Sequence, residues 1–202
     1  MIKLLLFPIF LSIITITAAQ NIYVLDTDGE PIRTDRQYYI VPGNTDVAGG
    51  FTLAGRNGSC PLSIAQSPQV GDSGIPVTFT RVSQDIVTIN YDEDVNIAFS
   101  TSTTTCEAFS TVWRLAEADE VFSRAYVSTG GYTGVSGNQA SLNFWFRIER
   151  HMEVYRLAFC PTVCNDCNPT CGLLNVDIVE DQRWLSLFRY DESVLPVQFR
   201  KA

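Results

Sequence analysis

The chain has 202 residues, with 14 Lys+Arg against 22 Asp+Glu, and is 46% hydrophobic and 18% charged. That balance fits one globular domain and excludes a disordered chain. A net charge of -8 repels phosphate backbones and anionic lipid surfaces, and a single histidine leaves no imidazole cluster, so no nucleic acid, membrane, metal or cofactor is expected as a partner.

In chain order, the first signal is a leader. Lys3 precedes an apolar run from Leu4 to Ile16, and Thr17-Ala18-Ala19 supplies small residues for cleavage. The run is short for a membrane span, so residues 1–19 read as a signal peptide and residues 20–202 as the mature domain. This predicts secretion, with a vacuolar destination left open. Asn57-Gly58-Ser59 is then a valid glycosylation sequon at Asn57.

The mature chain reads as many short strands. Tyr38-Tyr39-Ile40-Val41, Ile86-Val87-Thr88-Ile89, Phe144-Trp145-Phe146 and Val197-Gln198-Phe199 are rich in β-branched or aromatic residues, and Val95-Asn96-Ile97-Ala98-Phe99 alternates with period two. Turn signals separate them at Asp28-Gly29, Pro42-Gly43-Asn44, Asn57-Gly58, Gly71-Asp72-Ser73-Gly74, Gly130-Gly131 and Gly137-Asn138. One segment, 113–122, has a helical look through Leu115-Ala116-Glu117-Ala118. The pattern predicts an all-β sandwich or barrel.

Signals for catalysis are weak. Gly71-Asp72-Ser73-Gly74 is similar to the nucleophile turn of trypsin-like proteases, but the histidine of that family precedes its serine, whereas His151 follows Ser73. Glycine and aspartate also make this an ordinary tight turn. Asp26-x-Asp28-Gly29 lacks the further ligands of a calcium loop. Asp92-Glu93-Asp94 reads as a solvated loop between strands, and His151 as an exposed loop histidine. No enzyme is predicted.

Six cysteines, Cys60, Cys106, Cys160, Cys164, Cys167 and Cys171, lie in the mature part, where an oxidising compartment lets them pair. Their spacing leaves all 15 connectivities open. The last four are close enough for local pairing, and they lack the repeated C-x2-C pairs of a zinc ribbon.

Val24-Leu25-Asp26-Thr27-Asp28-Gly29-Glu30-Pro31-Ile32, followed by Tyr38-Tyr39-Ile40, resembles the opening signature of the plant Kunitz-type (soybean trypsin inhibitor) family. Cys60-Pro61-Leu62, Ser110-Thr111-Val112-Trp113, Trp145-Phe146-Arg147-Ile148-Glu149 and Tyr155-Arg156-Leu157-Ala158-Phe159-Cys160-Pro161 extend the match. Thr162-Val163-Cys164, Cys167 and Cys171-Gly172 are similar to its miraculin-like branch. The resemblance implies a β-trefoil of twelve strands in three pseudo-repeats, with disulfides Cys60–Cys106, Cys160–Cys171 and Cys164–Cys167.

It further implies a secreted inhibitor whose loop between the first two cysteines mimics a substrate of a target protease, serine-type by family precedent. Ungapped counting places the reactive position at Gln84, before Asp85, within the stretch Arg81, Val82, Ser83, Gln84, Asp85 and Ile86. A slip of three residues would present Arg81 instead. The family's bracing asparagine corresponds to Thr34, whose side chain has no amide donor. Without a basic residue at Gln84, strong trypsin inhibition is not expected. The segment Glu149-Arg150-His151-Met152 lacks the cysteine that links miraculin subunits, implying a monomer. The alternative is a defence, storage or carbohydrate-binding trefoil that inhibits no protease.

Overall fold

The structure, a computed structural model, describes residues 22–44, 46–101, 104–119, 124–189 and 194–202. The expected signal peptide, 1–19, lies outside the described residues. Among the described residues there are twelve strands: β1 (Tyr38–Pro42), β2 (Phe51–Ala54), β3 (Ser63–Gln66), β4 (Val77–Arg81), β5 (Asp94–Phe99), β6 (Arg114–Ala118), β7 (Ala125–Ser128), β8 (Phe146–His151), β9 (Val154–Phe159), β10 (Gly172–Val179), β11 (Gln182–Phe188) and β12 (Val197–Lys201).

Six of them close a barrel in the order β12-β1-β4-β5-β8-β9, returned to β12 by the pair Val197↔Tyr155. Closure leaves the barrel without free edges. The other six form hairpins β2–β3, β6–β7 and β10–β11, whose second strands meet one another at Trp184↔Ala65, Ser186↔Tyr126 and Ser63↔Ser128. Each third of the chain thus contributes a barrel strand, a capping hairpin and a second barrel strand. This is the β-trefoil that the resemblance implies.

Alternation along the strands builds the core. In β1 and β4 every second residue is buried, which sends Tyr38, Ile40, Val77 and Phe79 inward. The fully buried Trp113 sits among Phe51, Phe99 and Phe146, with ring centroids 5.5–6.2 Å away. Disulfides join Cys60 to Cys106, Cys160 to Cys171 and Cys164 to Cys167. The first encloses the stretch from β3 to the chain after β5 and, by loop entropy, favours the folded state by about 4 kcal/mol.

Several local expectations change. The segment expected to be helical holds the extended strand β6, with Leu115 buried and Arg114–Leu115 paired to β7; Phe122 lies outside the described residues. Leu-Ala-Glu-Ala is a single turn's worth of helix formers, too short to nucleate against a sheet that can bury Leu115. Phe144 ends a 3-10 helix, Gln139–Phe144, and β8 starts only at Phe146. Ile86-Val87-Thr88-Ile89 forms no named strand; Ile86 and Val87 are exposed, and pairing begins at the bridge Arg33↔Thr88. His151 is half-buried at the end of β8, opposite Val154, rather than in a loop.

Of the acidic run only Asp92 is an exposed turn residue; Glu93 and Asp94 are drawn into the fold. Asp94 is buried at the start of β5 and accepts from Arg147 Nε at 2.9 Å and from Thr162 N and Oγ1 at 2.8 and 2.7 Å. Glu93 pairs with Arg81. These partners lie up to 68 positions away in sequence, so the run alone does not reveal them.

Candidate functional site

Between β4 and β5 the chain leaves the barrel surface. Residues 82–87 are all exposed, with Val82 at 52% and Ile86 at 53% of full exposure. No hydrogen bond among the described residues ties Val82, Ser83, Gln84 or Asp85, and Asp85 is the only charge in the loop. The loop is held at its feet.

The second foot is gripped by the opening segment of the chain. Asp26, buried, accepts the Asp28 and Glu30 N–H groups at 2.9 and 3.0 Å and closes the turn at Asp28-Gly29. The chain then returns with Val24 and Ile32 fully buried, Val24 N donating to Ile89 O at 2.9 Å and Ile89 N to Ile32 O at 3.1 Å. One step further out, Thr34 N donates to Val87 O at 2.8 Å. The Tyr38 hydroxyl, its pKa raised by burial, accepts the Arg33 N–H at 3.0 Å. Beside Thr34, the exposed Arg33–Asp35 pair at 2.7 Å holds both groups charged: its hydrogen bond lowers the Asp35 pKa and raises that of Arg33.

The first foot corrects an expectation. Arg81 is not presented to solvent: it is 6% exposed, on the same strand face as Val77 and Phe79. Its guanidinium pairs with Glu93, and its Nη1 donates to Ile86 O at 3.0 Å. Glu93 Oε2 also accepts from Asn90 N at 3.3 Å. A charged group this far inside must be paired, and here it is. The period-two parity of Val77, Phe79 and Arg81 is the sequence signal for this inward placement.

A second loop, not anticipated from the sequence, stands beside Gln84. A β-carbon on Gly134 would lie 3.9 Å from the Gln84 amide nitrogen. Gly134 N donates to the buried Asn96 Oδ1 at 2.8 Å, Trp145 Nε1 to Val135 O at 2.7 Å and Gly137 N to Val163 O at 3.0 Å. So pinned, the loop leaves Tyr132 and Val135 exposed at 64% and 44%. Its signal in the sequence is the spacing of Gly131, Gly134 and Gly137 around two apolar residues.

The other candidates are structural. Asp72 Oδ1 accepts the Gly74 N–H at 2.9 Å, a bond that lowers the Asp72 pKa, and Arg200 donates to the Ser73 hydroxyl. Gly71-Asp72-Ser73-Gly74 is therefore a turn closed by its own aspartate. Among the described residues no group of three or more His, Cys, Asp or Glu side chains is placed to hold a metal. Gly58 and Ser59 of the sequon are exposed, at a 3-10 turn spanning Arg56–Gly58.

A closed six-stranded barrel, a three-hairpin cap and three disulfides define the class: a disulfide-bonded β-trefoil. Residues 24–201 match the legume Kunitz family model, described as "Trypsin and protease inhibitor", and the chain belongs to that family. It is 36% identical to miraculin of Synsepalum dulcificum over 186 residues, covering 88% of this chain and 82% of that one. It is 34% identical to Kunitz type trypsin inhibitor 104 of Medicago truncatula over 198 residues, covering 96% and 93%. Among solved structures, soybean trypsin inhibitor in complex with porcine pancreatic trypsin matches with a TM-score of 0.70 and 28% identity, covering 89% of this chain and 98% of that one. The family is one of inhibitors, and the chain is not an enzyme.

Proposed function

We propose that loop 82–87 binds a serine protease as a substrate mimic, with the Gln84 side chain entering the main specificity pocket and the Gln84–Asp85 bond lying across the catalytic groups. One observation carries this reading: six consecutive exposed residues stand on two anchored feet, Arg81 in β4 and the Thr34–Val87 bond. Such a loop has already lost much of the freedom a peptide would lose on binding, which favours affinity. The uncharged Gln84 offers no cation to a trypsin-type pocket, so trypsin is a poor target. The exposed, uncharged Tyr132 and Val135 flank Gly134, which stands beside Gln84, and offer further contacts next to the one charge of the loop, Asp85.

The protein acts outside the cell as a monomer, with Asn57 as its glycan site. All six cysteines are paired, which supports an oxidising compartment. Introducing a cation tests the assignment of Gln84. Gln84→Arg should tighten trypsin inhibition by about 100-fold, the scale of a desolvated ion pair. No gain from Gln84→Arg, together with a gain from Thr34→Asn, would move the limiting factor from pocket chemistry to loop rigidity.

A further inference from the structure

We infer that Arg81 is a positioning residue for the loop: its buried guanidinium, braced by Glu93, fixes the backbone at Ile86 and so keeps 82–87 in a shape that resists cleavage. The guanidinium joins three parts of the chain. Its own backbone ends β4 opposite Val95, its Nη1 holds the Ile86 carbonyl on the returning arm, and its other donors hold Glu93 just before β5. Glu93 is itself fixed by the Asn90 N–H, so the brace also reaches the chain below the second foot.

The chemistry selects arginine. A planar fork of five donors serves a carboxylate and a carbonyl at once in a fixed geometry, whereas an ammonium has three donors on one nitrogen and no such fork. Burial removes competing water, so each of these bonds holds more strongly than it would at the surface. The need for such a brace is visible on the other side of the loop. There, among the described residues, Thr34 contributes its backbone N–H alone, to Val87, one residue beyond the carbonyl that Arg81 holds. Ile86 and Val87 are thus fixed in succession from opposite sides, one by a side chain and one by main chain. The bond after Gln84 lies two residues before the first of these points.

The brace belongs to the free protein, and only its consequence for inhibition rests on the function proposed above. The test uses the disulfide-intact protein and thermolysin, a metalloprotease that cuts before exposed apolar residues such as Ile86, Val87 and Met152. Mass spectrometry follows cuts within 82–87 alongside cuts at Met152, which is 80% exposed in the β8–β9 hairpin and reports general loosening. Arg81→Met should speed loop cleavage about tenfold while leaving the Met152 cut unchanged. Arg81→Lys should fall between, and Glu93→Gln, which keeps an oxygen acceptor, should raise loop cleavage about threefold. Unchanged loop cleavage in Arg81→Met, or loop and Met152 cuts rising together, would overturn the inference. Should Arg81→Met fail to fold, Glu93→Gln is judged by the same two criteria. A wild-type protein that inhibits no protease would end the inhibitor reading, while these cleavage rates still decide the brace.

Discussion

The turn 71–74 and the loop 82–87 both lie between Cys60 and Cys106, and they are held in opposite ways. The turn is closed by its own aspartate and fastened to the chain beside it. Asp72 caps Gly74, Asp72 O accepts the Gly50 N–H at 2.8 Å, and Gly74 packs so tightly that a β-carbon would stand 2.1 Å from Phe51 O. The loop has no such internal closure and is held from beneath, by Arg81 and Thr34. A turn whose polar groups are taken up by its own aspartate and by Gly50 and Arg200 offers few of them to a partner. A loop fixed only at its feet keeps its central residues available, and a protease cleft needs that.

The contrast can be broken at several points. Cys60→Ser/Cys106→Ser opens the covalent ring around both regions and should cost about 4 kcal/mol of unfolding free energy in a denaturant titration. Gly74→Ala should come next, at about 3 kcal/mol, because its φ of 72° and the contact with Phe51 both reject a side chain. In the loop, Val82→Ala should change stability by less than about 0.5 kcal/mol, since Val82 is half exposed. The same variant should weaken protease binding measurably, an effect that Gly74→Ala lacks once the protein is folded.

The smallest effect is one of pH. Bonding to the Gly74 N–H lowers the Asp72 pKa, so its contribution is present above the ordinary carboxylate range and fades as pH falls through the depressed value. Hydrogen exchange at the Gly74 amide should therefore quicken, beyond its intrinsic pH dependence, in strong acid. Asp72→Asn, which keeps the acceptor, should abolish that component.

What the sequence made legible follows from where the physics is local. Strands β1, β5 and β12 are visible because apolar and β-branched residues dominate them and their burial follows. The disulfide partners and the trefoil came from the resemblance, because spacing could not choose among connectivities and the three repeats share pairing geometry without obvious shared residues. Strand β6 was hidden by helix-forming residues that tertiary pairing overrides. The roles of Arg81, Glu93 and Asp94 were hidden for a related reason: charged residues read as solvated until their distant partners are placed. For Arg81, the parity of β4 held the clue that its charge obscured.

The central claim is that loop 82–87 is a protease-binding loop centred on Gln84. A titration of the purified domain, residues 20–202, against trypsin, chymotrypsin, subtilisin, papain and an aspartic protease, with mass spectrometry of each mixture, tests it most directly. The account predicts stoichiometric inhibition of a serine protease other than trypsin, with any slow cut falling between Gln84 and Asp85. Absence of inhibition by every enzyme, with the loop intact or simply digested, would contradict it.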